Sequence, residues 1–415
     1  MLDFFLFIAI FSIWAILIVN IILTIAGYVY YLRWSKQPAP ELPAKVPFVT
    51  IMVPAHNEGI VIVKTVLSLL SFDYPQDCYE IIVINDNSSD NSADLLKAIQ
   101  SLHPDRNLEV VNTDAKTGGK GKSNALNIGL KKAKGSIIAV YDADNTPEKK
   151  ALRYLVAELM QHNEYGAVIG KFRTRNKDAT ILTRFINVET LSFQWMSQGG
   201  RQQLFKLCTI PGTNYVIRRS MLEEVGGWDV KALAEDTAIS FQVYQRGKRI
   251  GFQPLAVTWE QEPQTLDVWF HQRTRWVKGN IYVVLKNAGK LFTKAGRHIR
   301  FDLIYYLSIY FLLMTSLIFS DAVMVLSVAG VVHTSIVAFS NKLWLAAILS
   351  FIFSTYLTIT TEKSEMRPSN LLVIVGMYVV YSQMWLAVAA NGMVGYIREK
   401  VFHQQAKWYK TKRYR

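Results

Sequence analysis

Two carboxylates one residue apart, Asp142 and Asp144, close an apolar run in Tyr141-Asp142-Ala143-Asp144. After a buried strand such a pair suits a hard cation better than it suits packing. Mg²⁺ or Mn²⁺ held by one or both would bridge phosphates. Asp86 ends an earlier apolar run, in Asn85-Asp86-Asn87-Ser88-Ser89-Asp90, where it is placed to accept from a base imide or a ribose hydroxyl. Capping the next helix is the alternative for Asp86 and the expected role of Asp90. In Thr117-Gly118-Gly119-Lys120-Gly121-Lys122-Ser123 a flexible basic loop enters a helix, with Lys120 and Lys122 free to meet a diphosphate. A phosphate loop of the G-x-x-x-x-G-K-S type is excluded, because position 116 is Lys116 and not glycine. Glu235-Asp236 opens the helical pattern 237–245: it either caps that helix or supplies a general base beside an acceptor hydroxyl. Finally, Gln272, Arg275 and Trp276 stand at i, i+3 and i+4, so a helix presents them on one face. That face offers an amide, a fixed cation for phosphate and a stacking ring. An amphipathic helix at a membrane interface would carry the same residue types.

The elements that must position these groups alternate. Strand-like runs at 48–54, 80–86, 108–112, 136–142 and 167–171 are separated by helical patterns near 61–70, 93–102, 123–133 and 149–162. This rhythm predicts an α/β domain with a mostly parallel sheet flanked by helices. Ligands of such sheets collect beyond the carboxyl ends of the strands, where the polar clusters fall.

Of the 415 residues 51% are hydrophobic, and the apolar ones concentrate at the two ends. Residues 4–32 carry no charge and are long enough to span a bilayer. Asp3 precedes them while Arg33 and Lys36 follow, which reads as a retained anchor over 1–33 with the next domain on the cytosolic side. A Pro-rich spacer, 37–43, leads into the α/β domain, expected over 46–265. Interfacial helices follow over 266–300, membrane helices over 301–396 and a basic cytosolic tail over 397–415. Apolar runs occupy 303–319, 322–338, 343–361 and 371–395. The first two form either a hairpin turning at Ser320-Asp321 or one long helix continuing to about Val331. Domain and tail on one side require an even number of crossings between them, which favours four spans over three. In the last run Gln383 and Asn391 either line a polar path or bond neighbouring helices. The net charge of +14 flanks apolar segments and reads as anchoring rather than nucleic-acid binding. Two cysteines, Cys78 and Cys208, argue against a disulfide framework or a structural zinc site.

Taken in order, Asp86, Lys122, Asp142-Ala143-Asp144, Glu235-Asp236 and Gln272-x-x-Arg275-Trp276 closely resemble the processive family 2 glycosyltransferases. These are membrane synthases of poly-N-acetylglucosamine, cellulose, hyaluronan and chitin-type glycans. The resemblance covers 46–280 in motifs and the whole chain in layout. It implies a GT-A type nucleotide-sugar transferase domain inserted between transmembrane helices, using a UDP-sugar donor, a growing polysaccharide acceptor, Mg²⁺ or Mn²⁺ and the lipid bilayer. Regulation, if any, would come from a small membrane partner subunit, since no domain is expected after the last span. The resemblance assigns Asp86 to uridine and Lys122 to the diphosphate neighbourhood. Asp144 becomes the metal ligand, with Asp142 beside it on the nucleotide, and Asp236, next to Glu235, becomes the base. Gln272, Arg275 and Trp276 would clamp the diphosphate and the terminal acceptor sugar. The implied chemistry is a single inverting displacement by a hexosyltransferase that polymerises and exports its product. A poly-N-acetylglucosamine-like polymer is favoured over a cellulose-like glucan. A non-processive glycolipid transferase and a catalytically silent export subunit are the alternatives. Two departures stand out. Ala234 replaces the threonine common before Glu-Asp, and the loop Ile210-Pro211-Gly212-Thr213-Asn214-Tyr215 lacks the Cys-Gly of cellulose-type enzymes, leaving the sugar open.

Overall fold

A computed structural model describes residues 2–294, 296–334, 337–402 and 413. Residues 403–412 and 414–415 of the expected tail, and residues 335–336 of the 322–338 run, lie outside the described residues. The chain forms two compact units. A sheet unit combines 36–190, 205–269 and Arg413, and a helical unit combines 2–35, 191–204 and 270–402.

The helices in chain order begin with α1 (Leu2–Trp34), α2 (Ile62–Leu70), α3 (Ser92–Leu102), α4 (Lys122–Lys132), α5 (Ala151–Gln161), α6 (Ile181–Leu191) and α7 (Gly199–Phe205). They continue with α8 (Arg219–Val225), α9 (Glu235–Gln245), α10 (Leu266–Ala288), α11 (Arg300–Leu307), α12 (Met314–Val328), α13 (Val337–Thr360), α14 (Pro368–Gly376) and α15 (Ser382–Val401).

The sheet contains β1 (Val49–Ala55), β2 (Tyr79–Asn85), β3 (Leu108–Asn112), β4 (Ile137–Val140), β5 (Thr146–Pro147), β6 (Tyr165–Thr174), β7 (Tyr215–Arg218) and β8 (Arg249–Glu260). Their order is β3-β2-β1-β4-β7-β6-β8-β5. β1 runs parallel to β2 and β4, β2 to β3, and β6 to β8, whereas β7 is antiparallel to β4 and β6. The mostly parallel α/β sheet and its five expected strands are therefore present. β7, β8 and the short β5 were not expected. β8 hides because Pro254 and mixed polarity interrupt its alternation, and its pairing with β6 shifts register. β1 and β2 are rich in Val and Ile and covered on both faces, as buried parallel strands are. α4 lies close on them: a methyl at Gly129 would sit 2.8 Å from Ile84 Cδ1 and 3.0 Å from Met52 Sδ. That close seat carries Lys122, the first residue of α4, to the carboxyl edge of the sheet.

In the helical unit α1, with 33 residues, is about 50 Å long at 1.5 Å per residue. Glycines let it approach the 192–205 segment: a Cβ at Gly27 would meet Trp195 O at 2.3 Å, and one at Gly200 would meet Leu23 O at 2.2 Å. Trp195 packs on Tyr31 and Trp34, and Arg201 pairs with Asp302 at 3.0 Å, both side chains 1% exposed. Among the described residues three helices are long and apolar enough to cross a membrane, over Leu2–Trp34, Arg300–Val328 and Pro368–Val401. The chain does not turn at Ser320-Asp321; as in the second alternative, one helix runs from Arg300 through a π-helical turn at Ser308–Leu313 to Val328, so the expected four spans, which required the hairpin, are not formed among the described residues. Neither serine nor aspartate breaks a helix, and the stop comes at Gly330, whose φ of +72° closes a turn with Val331 N donating to Leu326 O at 2.9 Å. Asn391 Nδ2 donates to Thr274 Oγ1 on α10 at 3.3 Å, the helix-bonding alternative, while Gln383 is exposed.

Candidate functional site

At the carboxyl edge of the sheet Lys122 joins three segments. Its Nζ lies 2.6 Å from Asp142 Oδ1 and 3.3 Å from Glu235 Oε1, and it donates to Gly212 O at 2.7 Å. Burial alone would lower this ammonium's pKa, but the charges of Asp142 and then Glu235 outweigh it and raise the pKa, so Lys122 stays charged. Lys122 therefore does not stand free for a diphosphate; carboxylates hold it in place. Lys120, by contrast, is exposed and donates to Lys116 O at 2.8 Å.

Glu235 reaches this group through a staple that sequence reasoning missed. Asn127, on α4, donates to Trp228 O at 2.8 Å and accepts from Trp228 N at 2.9 Å. The preceding Gly226 and Gly227 have φ of +81° and +83°, conformations that favour glycine. The adjacent Gly226-Gly227-Trp228 was the available signal, since paired glycines before a large ring mark a fixed turn. The start of α9 is thereby held against the start of α4.

Asp236 is the second residue of α9. The residue before α9 is Ala234, which has no capping side chain; Asp236 Oδ1 accepts from Thr237 N, a first-turn donor of α9, at 2.7 Å, so the capping alternative is partly met from inside the helix. Burial, and then the negative charge of Glu235, raise the Asp236 pKa to about 7, with Lys122 opposing. Gly212 has φ +87°, and a methyl there would lie 3.0 Å from Asp236 Oδ2 and 3.5 Å from Lys122 Nζ. Space beside that carboxylate is thus kept open by a residue without a side chain. The neighbouring Thr213 Oγ1 accepts from Asp142 N at 3.0 Å and donates to Asn145 Oδ1 at 2.7 Å, tying the Asp142–Asp144 turn to β7.

Asp86 is buried and does not cap α3. Its Oδ1 accepts from Thr113 Oγ1 at 2.8 Å and Gly119 N at 2.9 Å, which fastens the glycine loop over the end of β2. Asp90 instead accepts from Ser92 N at 3.0 Å, at the start of α3.

Asp144, 4% exposed, belongs to a second acidic group. Its Oδ2 lies 2.7 Å from Arg413 Nη1, and Glu58 Oε2 lies 3.4 Å from Arg413 Nε. Glu260, at the end of β8, has its pKa raised well above the usual carboxylate range by burial and by Glu262, Asp144 and Asp142. A region that stabilises a guanidinium among these carboxylates suits a divalent cation. Hard oxygen donors are the right chemistry for Mg²⁺ or Mn²⁺. Among the described residues no three His, Cys, Asp or Glu side chains assemble a cage. Diphosphate oxygens and water would complete the shell, as is usual for these ions.

Gln272, Arg275 and Trp276 lie on α10 and belong to the helical unit. Gln272 is buried, with Oε1 accepting from Arg273 Nη1 at 2.8 Å, and Trp276 is 41% exposed. Arg273, which the motif passes over, places its guanidinium carbon 4.0 Å from the Trp276 ring centre. Its i, i+3 spacing to the ring was the readable signal.

Residues 46–279 match the family model described as "Glycosyltransferase like family 2". The chain is 44% identical over 410 residues to the Bacillus subtilis (strain 168) protein named "Probable glycosyltransferase YdaM", covering 98% of this chain and 97% of that one. Over 269 residues, 63% of each chain, it is 31% identical to a Staphylococcus aureus poly-beta-1,6-N-acetyl-D-glucosamine synthase. Among solved structures, the mannosyltransferase PcManGT from Pyrobaculum calidifontis, in complex with GDP-Man and Mn²⁺, is similar in fold. That match has a TM-score of 0.66 at 21% identity and covers 94% of this chain and 99% of that one.

Proposed function

The chain belongs to the family 2 glycosyltransferases, nucleotide-sugar-dependent enzymes, and from that premise we propose that it is a membrane-embedded, inverting polysaccharide synthase using a UDP-sugar. A β-linked poly-N-acetylglucosamine-like polymer is the first candidate and a cellulose-like glucan the second. Similarity to the staphylococcal synthase supports that order.

The observation that carries the reading is Asp236, held near neutral pKa beside the space left by Gly212. A base with a pKa near the working pH is both largely deprotonated and able to take a proton. In this reading an acceptor hydroxyl enters that space, its oxygen attacks the anomeric carbon, and Asp236 takes the hydroxyl proton. The bond from the anomeric carbon to the UDP oxygen breaks on the opposite face, so configuration inverts. Lys122 fixes Asp142 and Glu235 and so holds the nucleotide side and the base side in register. Asp86 and the loop it fastens would receive the uridine. Asp144, with Asp142, would hold Mg²⁺ or Mn²⁺, which when bound neutralises charge on the leaving diphosphate. The Mn²⁺ in the PcManGT complex supports that choice of ion. Gln272, Arg275 and Trp276 would contact diphosphate and acceptor sugar, and the apolar helices would pass the product across the bilayer. The donor domain faces the cytosol, where UDP-sugars are made. The Arg413–Asp144 contact supports a tail on the same side, reached by an even number of crossings.

The test is incubation of membranes with individual radiolabelled UDP-sugars, followed by linkage-specific glycosidases and sizing of the product. Long β-linked chains are expected. A single sugar transferred to lipid would replace this reading with a glycolipid transferase.

A further inference from the structure

Arg413 lies in a basic tail, yet its side chain is only 16% exposed and sits among Asp144, Glu58, Asp142 and Glu260. Burial opposes its charge, but Asp144 and then Glu58 outweigh burial, so the guanidinium is held as a cation. Its Nη1 lies 2.7 Å from Asp144 Oδ2. A divalent cation on that oxygen would sit about 2.1 Å away. Two cations cannot share one carboxylate oxygen at those distances without strong repulsion. Arg413 and a divalent cation on Asp144 therefore oppose each other's binding.

We propose that Arg413 is a built-in cation that fills the divalent-metal position of the resting donor site and must leave before metal and nucleotide diphosphate bind. This rests on the reading of Asp144 as a metal-holding residue. Arg413 then acts as a competitor in cis. It protects the buried carboxylates from bearing unpaired charge between turnovers and sets a threshold metal concentration for loading. Arginine suits the task because its charge is permanent and its fork reaches Asp144 through Nη1 and Glu58 through Nε together.

The experiment titrates the full chain, in detergent, with Mn²⁺ alone and reads free Mn²⁺ by electron paramagnetic resonance. Arg413→Gln is expected to bind Mn²⁺ roughly five- to hundredfold more tightly than the parent, the usual range for coupled sites. Arg413→Lys, which keeps a cation but not the fork, should fall between them. Asp144→Asn in the Arg413→Gln background should lose the tight binding. Because coupling is reciprocal, Mn²⁺ should also raise the reactivity of Arg413 toward phenylglyoxal, read by peptide mass. Equal Mn²⁺ affinity in parent and Arg413→Gln, with binding still lost in Asp144→Asn, overturns the competition and leaves the metal assignment standing. Tight binding that survives Asp144→Asn overturns the metal assignment and the competition with it.

Discussion

The two ends of the same sheet treat buried carboxylates in opposite ways. At the amino end Glu80, on β2, is 5% exposed and fully served. Its Oε1 accepts from Thr50 Oγ1 and from Lys134 N, both at 2.7 Å, and Lys134 Nζ lies 3.5 Å from Oε2. At the carboxyl end Asp142, Asp144, Glu235, Asp236 and Glu260 crowd together, and two of them have raised pKa values. One acid with its own donors is structure. Several acids that share cations such as Lys122 and Arg413 instead of each having its own donors form an electrostatically unsettled region, the kind of place where functional sites are found.

That contrast can be broken by mutation. Asp144→Ala, or addition of EDTA to the parent, should abolish transfer at normal protein level, because nothing would neutralise the leaving diphosphate. Full turnover in EDTA would remove the carboxyl end's claim on a metal. Asp236→Asn should lower turnover by about 10²-fold or more while UDP binding, followed by calorimetry, stays near the parent. A modest and equal fall in both would make it a structural carboxylate like Glu80. On the helical unit, Arg275→Ala should cost about 1.5–3 kcal/mol in UDP binding, with Lys restoring only part. Trp276→Ala should instead shorten the product and spare UDP affinity.

Glu80→Gln should leave turnover per folded molecule unchanged and destabilise the sheet unit by about 1–3 kcal/mol, since it leaves the buried donors facing an amide in place of their matched carboxylate. Chemical denaturation set against specific activity would separate those effects. The smallest effect is a shift in the pH profile. Asp236 must be unprotonated to act, so kcat/KM should rise with pH and level off above about 7. Glu235→Gln removes a negative neighbour, lowers the Asp236 pKa and moves that rising limb to lower pH. A limb that stays in place would mean Asp236 does not titrate in the reaction.

Local chemistry wrote much of this plan into the sequence. Val- and Ile-rich runs bounded by polar clusters mark β1 to β4, because a buried parallel strand needs apolar faces and its loops carry the ligand groups. The positions of Asp86, Lys122, Asp142, Asp144 and Glu235-Asp236 at strand ends and helix starts were readable for the same reason. The helix through Ser320-Asp321 was readable only as one of two alternatives, because helix continuity depends on backbone termination at Gly330 rather than on polarity. The 113-position span from Lys122 to Glu235, which the Asn127–Trp228 staple closes, was not readable, nor was the approach of Arg413 to Asp144. Hydrophobic period reports only which face of an element is buried. Which charges meet across the sheet edge is decided by how α4, α9 and the β4 turn stack, and only there does burial raise the Asp236 pKa into the range of a base.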